Sequence, residues 1–311
     1  MSASVRLPRD WEARVRDALA ASPDPDLATG TLRLLGAGMD SVALLLERRE
    51  TSYVLRLPQD PHGAEGIAHE AALLPELAER LPVPIPRFSF TAPNPLGPGA
   101  FCVYPAVPGE SLPDEQWRRR GLLELPETSR RIAELIDGIH DFPVARAREL
   151  GIETWDLRAD FTADLKTVRA EVLPLISARE ATMLLRAWEG YLGDDGNFDY
   201  RPTLLHADVS LDHLLVTGTQ ITGLIDFGDV EIGDPDYDLC YLYPDAGRDL
   251  VRCVQRCRGR ELDTRLESKL RFWACADPAL DVLHALENDM PRFRQERLRV
   301  LSEALERFQG R

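Results

Sequence analysis

Cysteine is scarce in this chain: Cys102, Cys240, Cys253, Cys257 and Cys275 make five, an odd count without a Cys-x-x-Cys pair. That excludes a disulfide framework and a zinc site of the usual spacing. Four-residue spacing would let Cys253 and Cys257 meet on one helical face, but two ordinary thiols of a reducing cytosol is the plainer reading. Long apolar runs are also missing. None approaches the ~20 residues that span a bilayer, and even Val42–Leu46 ends in Glu47, Arg48 and Arg49. The first 25 residues carry charges throughout and place Trp11, Val15 and Leu19 at four-residue spacing. An amphipathic helix fits that pattern and an export signal does not, so a cytoplasmic protein is expected. Basic residues are outnumbered, 37 Lys and Arg against 52 Asp and Glu, for a net charge of −15. That field repels nucleic acid and anionic membranes. It would concentrate a cationic small molecule near the surface, although acidity also serves solubility alone. Internal repeats and low-complexity segments are absent.

What is present suffices for a large core: 44% of residues are apolar, and the length suits one large domain or two coupled lobes. Leu32–Leu35, Val42–Glu47 and Tyr53–Leu57 read as strands of an antiparallel meander. Ile67, Leu74, Leu77 and Leu81 make a helical stripe over Ile67–Leu81, stopped by Pro82, Pro84 and Pro86. Phe101–Val107 reads as a further strand running into Pro108-Gly109, a chain reversal able to join two lobes. Beyond it the periodicity turns helical, with stripes at Ile132, Leu135, Ile136 and Ile139, at Leu184, Trp188 and Tyr191, and at Leu298, Leu301, Leu305 and Phe308. Two short apolar runs, Thr203–Leu205 and Ile221–Ile225, interrupt the helices, and acidic residues follow each.

Those runs lead into the most informative segments, His206-Ala207-Asp208-Val209-Ser210-Leu211-Asp212-His213 and Leu224-Ile225-Asp226-Phe227-Gly228-Asp229. A carboxylate follows one apolar strand, a possible metal ligand lies five residues on, and a second carboxylate ends the next strand. Phosphoryl transfer needs such a set. One carboxylate orients and deprotonates the attacking hydroxyl, and another, with a partner, holds Mg²⁺ against the nucleotide phosphates.

His206-x-Asp208, then Asp226-Phe227-Gly228, then Ile232-Gly233-Asp234-Pro235-Asp236-Tyr237-Asp238-Leu239 resembles the aminoglycoside phosphotransferase family, especially its 2″-hydroxyl branch. Macrolide kinases are similar at several of the same places. The likeness runs from about Leu32 to Tyr243. It implies an α+β, protein-kinase-like two-lobed fold, with a small antiparallel sheet lobe over residues 1–104, a hinge at 105–110 and a larger, mainly helical lobe over 111–311. The catalytic loop, metal loop and acceptor site would belong to the helical lobe. The resemblance makes Asp208 the catalytic base, Asp226 the main Mg²⁺ ligand and Asp238 a brace for the catalytic loop. His213 stands where most of the wider group carries Asn, and imidazole nitrogen matches hard Mg²⁺ less well than oxygen. It is expected as a direct ligand or one acting through water; without the motif, a lone histidine beside Leu214 and Leu215 would read as a satisfied core residue.

The nucleotide, ATP or GTP, would be clamped by the smaller lobe. Gly36 and Gly38, in the Gly36–Ser41 loop that ends with Ser41, would let backbone N–H groups approach phosphates; a plain hairpin explains the pair as well. Arg56 occupies the place of the family's phosphate-binding lysine and can pair with phosphate through two N–H groups. Glu70, on the following helix, would hold it, unless the two are unrelated surface residues. Placing Gly109 at the family's hinge glycine makes Tyr104 the gatekeeper. Because Pro105 lacks an N–H, the base would use the Pro105 carbonyl and the Val107 amide. A tyrosine there narrows the rear of the pocket in a way that suits guanine, so ATP versus GTP stays open.

The expected activity is phosphorylation of a hydroxyl on a cationic small molecule, an aminoglycoside antibiotic first, by a monomer. A macrolide 2′-kinase and a metabolic kinase for an amino alcohol, sugar or natural product are the alternatives. A catalytically inactive binding module fits less well, since both aspartates are present. Glu231, Asp234, Glu261, Glu267 and Asp289 are candidate ammonium binders, none singled out, and Trp155 and Trp273 suit core packing better than a pocket.

Overall fold

The structure is a computed structural model, and it describes residues 7–38 and 40–309. The first six residues of the expected N-terminal helical region, and Met39 of the predicted phosphate loop, lie outside the described residues. In chain order come helix α1 (Trp11–Ala20), strands β1 (Thr31–Ala37), β2 (Ser41–Arg48) and β3 (Thr51–Pro58), helix α2 (Pro61–Leu77), and strands β4 (Phe90–Pro93) and β5 (Ala100–Pro105). Helices α3 (Asp114–Arg119), α4 (Pro126–His140), α5 (Val144–Glu149), α6 (Leu157–Thr167) and α7 (Ala178–Gly193) follow. Strands β6 (Thr203–Leu205), β7 (Leu214–Thr217), β8 (Gln220–Leu224) and β9 (Glu231–Gly233) precede helices α8 (Leu242–Ala246), α9 (Arg248–Cys257), α10 (Thr264–Glu287) and α11 (Pro291–Ala304). Among the described residues no helix is long and apolar enough to cross a membrane.

Contacts divide the chain into two compact units. The first runs to Ser111 and also takes Ala145–Ile152 and His213–Val230. Its sheet has the order β1-β2-β3-β5-β4, antiparallel throughout. Alternation along β2 buries Val42, Leu44 and Leu46, and these pack with Val15, Leu19 and Leu27 from the N-terminal segment and with Leu55, Leu57, Phe101 and Val103. Helix α2 lies on β3 and β5. It starts six residues before the predicted Ile67, because Asp60 caps it by accepting the Gly63 N–H at 2.8 Å and Pro61 suits its first turn.

His213–Val230 joins this unit although it lies far along the chain, and the reason is backbone pairing. The β7–β8 hairpin meets the segment after β5: Glu110 and Val216 exchange both N–H···O bonds, at 2.9 and 3.0 Å, and the Thr222 hydroxyl donates to the Pro108 carbonyl at 2.9 Å. A division into contiguous residues 1–104, 105–110 and 111–311 separates segments that these bonds tie together.

The second unit comprises Leu112–Val144, Glu153–Asp212 and Glu231 onward. It is mainly helical, with the short β6–β9 ladder pairing Thr203 with Gly233 and Leu205 with Glu231. Its core is aromatic: Phe161, Trp188, Tyr191 and Phe272 meet edge to face or, for Tyr191 and Phe272, stacked at 4.1 Å. Trp273 is fully buried against Tyr191 and Tyr237. Such pairs add to the ~25 cal/mol per Å² of buried apolar area.

Candidate active site

In the first unit, β3 presents Arg56 toward α2. Its Nη1 donates to both Glu70 oxygens, at 2.6 and 2.8 Å, and its Nη2 lies 3.1 Å from Asp226 Oδ1. Glu70 is fully buried and the Arg56 side chain 12% exposed. Loss of hydration pulls the guanidinium down, but Glu70 and Asp226 together hold it above its ordinary value. Burial pushes the Glu70 carboxyl up to about 7 against the pull of Arg56, with Asp226 adding to the push.

Asp226 follows β8 with φ of +67°, a conformation that non-glycine residues rarely adopt. Its second oxygen, Oδ2, lies 3.5 Å from His213 Nε2, and the Ile225 N–H donates to the His213 carbonyl at 3.1 Å. The predicted metal pair is therefore brought together, one carboxylate facing a cation on one side and an imidazole on the other. Among the described residues no three His, Cys, Asp or Glu side chains form a metal-holding group. A carboxylate with one further side chain is nonetheless an ordinary protein share for Mg²⁺, which keeps waters and takes its other oxygens from phosphates.

The glycine loop closes as a hairpin. The Gly38 N–H donates to the Ser41 carbonyl at 3.0 Å, and the Gly38 carbonyl accepts from Gln59 Nε2 at 3.0 Å. Neither Gly36 nor Gly38 has a positive φ, and a Cβ on Gly36 would meet nothing within 4 Å. These glycines thus provide open access and no special turn. Tyr104 is buried and stacks on Phe88 at 5.6 Å; Pro105 is exposed and Val107 half-buried. The intervening Ala106 N–H is engaged by the Ser52 carbonyl at 2.8 Å.

In the second unit, Asp208 follows β6 on a loop whose backbone is held from several sides. The Asp208 N–H donates to His206 Nδ1 at 3.2 Å, and Ala207 has φ of +65°. Asp238, fully buried, accepts the Ala207 N–H at 2.8 Å and the His206 N–H at 3.4 Å. It braces the loop as the resemblance implied. Burial raises the Asp238 carboxyl, but the hydrogen bond from His140, with help from His206 and the Ala207 amide, outweighs it and leaves it below its ordinary value. Trp117 Nε1 donates to the Leu211 carbonyl at 3.1 Å and fixes the loop's far end. Neither Trp117 nor His140 was singled out from sequence; no local motif marks either.

Of the acceptor candidates, Asp234 is wholly buried and, together with its neighbour Asp236, clasps Lys269 Nζ at 2.5 and 2.6 Å. Glu267 is tied to Arg248 and Arg271, at 2.8 and 3.0 Å. These three carboxylates are engaged in ion pairs of the helical unit. Glu261 and Asp289 are exposed and Glu231 half-buried. Trp155 packs against Tyr237 at 4.7 Å, which with buried Trp273 agrees with core roles for both tryptophans.

Comparison with known proteins bears on these features. A homoserine kinase of Methylobacterium nodulans is 26% identical over 196 residues, 62% of this chain. The chain spans 57% of the length of that relative. The GDP complex of wild-type aminoglycoside 2′-phosphotransferase-IIIa superposes with a TM-score of 0.87 at 27% identity, covering 95% of this chain and 99% of that one. Macrolide 2′-phosphotransferase from Brachybacterium faecium shares the fold, with a TM-score of 0.72 at 23% identity over 92% and 97% of the two chains. The fold is thus the kinase-like α+β one. The profile of the phosphotransferase enzyme family, APH, matches residues 31–294, and this chain belongs to that family.

Proposed function

We propose that this protein is a nucleotide- and Mg²⁺-dependent phosphotransferase that phosphorylates a hydroxyl of a cationic small molecule, an aminoglycoside by first preference. The observation that carries the reading is the Asp226 carboxylate held between Arg56 and His213, at 3.1 and 3.5 Å. That is a set of charges suited to a triphosphate and its cation. Asp208 orients the acceptor hydroxyl and takes its proton, while Asp238 keeps its loop in shape. Arg56, steadied by Glu70, pairs with phosphate oxygens, and Asp226 with His213 holds the metal. Mg²⁺, when bound, neutralises charge on the phosphates. Positioning and electrostatics supply most of the acceleration.

An aminoglycoside acceptor is supported by a net charge of −15, which attracts polycations. The GDP and kanamycin complex of APH(2″)-IIIa, TM-score 0.84 at 27% identity, supports it too. Buried Tyr104 favours GTP over ATP as donor. The homoserine kinase relative favours a second reading, a small amino alcohol as acceptor. The test is nucleoside diphosphate release, measured with ATP and with GTP against aminoglycosides, macrolides, homoserine and other amino alcohols. Turnover confined to aminoglycosides would support the first reading and turnover on homoserine alone the second. Silence across the panel would remove both.

A further inference from the structure

We propose that His140 and Arg258 are positioning residues that hold the Asp208 loop through a directional hydrogen-bond relay ending on Asp238. All four groups belong to the second unit. Arg258 follows α9 with a fully buried side chain. Its Nε donates to Asp137 Oδ1 at 2.8 Å and its Nη1 to Gln255 Oε1 at 3.1 Å. Its Nη2 lies 2.9 Å from His140 Nδ1.

A guanidinium can only donate, so His140 Nδ1 accepts and the neutral ring carries its hydrogen on Nε2. That N–H points at Asp238 Oδ2, 2.9 Å away. Asp238 in turn receives the Ala207 and His206 N–H groups, and Ala207 holds a φ of +65° that few side-chain-bearing residues tolerate. The relay fixes which way the carboxylate faces, and the carboxylate fixes the backbone just before Asp208. Asp137 and His140 sit one turn apart on α4, so a single helix end supplies both the anchor for Arg258 and the ring it orients.

The kinetic part of the test rests on the proposed phosphotransferase reading; the structural part does not. Arg258→Met should lower kcat about tenfold or more, the scale for a small misplacement of a reacting group, with nucleotide KM unchanged. Arg258→Lys, which keeps a donor, should recover most of it. In ¹⁵N NMR, wild-type His140 should be the Nε2–H tautomer. The Ala207 amide should exchange faster with solvent in Arg258→Met and His140→Ala, while His140→Gln, which retains a donor toward Asp238, should restore protection. An Nδ1–H tautomer in the wild type overturns the relay. So does wild-type kcat together with wild-type Ala207 protection in folded Arg258→Met. Should His140→Ala not fold, the Arg258 pair decides. A wild type inactive on every acceptor counts against the functional reading alone, and the tautomer and Ala207 exchange then decide the relay.

Discussion

Arg56 Nη1 lies 2.6 and 2.8 Å from the two oxygens of Glu70, while Nη2 of the same guanidinium lies 3.1 Å from Asp226. A cation on β3 is thus shared between a buried carboxylate on α2 and the Asp226 carboxylate after β8. Removing the buried partner leaves a charge with lost hydration and half its compensation. Glu70→Ala should therefore lower stability by about 3–5 kcal/mol, the range for breaking a buried ion pair from one side, and weaken nucleotide binding. Denaturant unfolding and calorimetric titration with nucleotide check this. An unchanged midpoint with unchanged affinity would show that Glu70 does not hold Arg56.

The acid response of Asp238 follows from its depressed carboxyl. A group whose folded value lies below its unfolded value, about 3.9 for Asp, stabilises the fold above that unfolded value. The contribution disappears as pH falls through the folded value. Asp238→Asn should be less stable than wild type near neutrality, and the gap should narrow as pH drops below about 4. Urea unfolding across that range measures it. A gap that stays constant with pH would contradict the hydrogen-bonding account of Asp238.

Two glycines fasten the β7–β8 hairpin to the segment after β5. Gly109 has φ of +118°, and a Cβ there would come within 2.7 Å of Thr222 Oγ1; one on Gly223 would come within 2.4 Å of Val107 Cγ1. Gly109→Ala and Gly223→Ala should each lower the melting temperature, by a cost of about 1–3 kcal/mol where strain in the left-handed region is forced. Gly36→Ala, with open space around it, should leave the melting temperature nearly unchanged. Equal effects at all three positions would contradict the packing described.

Much of the fold was legible because its elements carry clear periodicity. β2 alternates, and α4 and α7 bury single stripes through Ile132, Leu135, Ile136 and Ile139 and through Leu184, Trp188 and Tyr191. Helix α10 was not read. It buries residues on most sides, from Leu266, Leu270 and Trp273 to Val282, Leu283 and Ala285, so no polar face outlines it. β4, β7 and β9 have three or four residues, too few to establish alternation. At the candidate site, Arg56, Glu70, His213 and Asp226 were legible from motif order, and the structure brings them together within the first unit. His140 and Arg258 were not, since His140 meets Asp238 across 98 residues and Arg258 meets His140 across 118. A histidine ending an apolar helical stripe gives no sign of its partner.

In the proposed reaction Asp208 takes the acceptor's proton. The most direct test of that role is the single-turnover rate of phosphoryl transfer to the best acceptor for wild type and Asp208→Asn, at saturating nucleotide and Mg²⁺, alongside nucleotide Kd. The rate should fall by about 10²–10⁴-fold, the contribution of a general base, with Kd within about twofold of wild type. An Asp208→Asn protein that binds nucleotide normally and transfers phosphate at close to the wild-type rate would contradict that role.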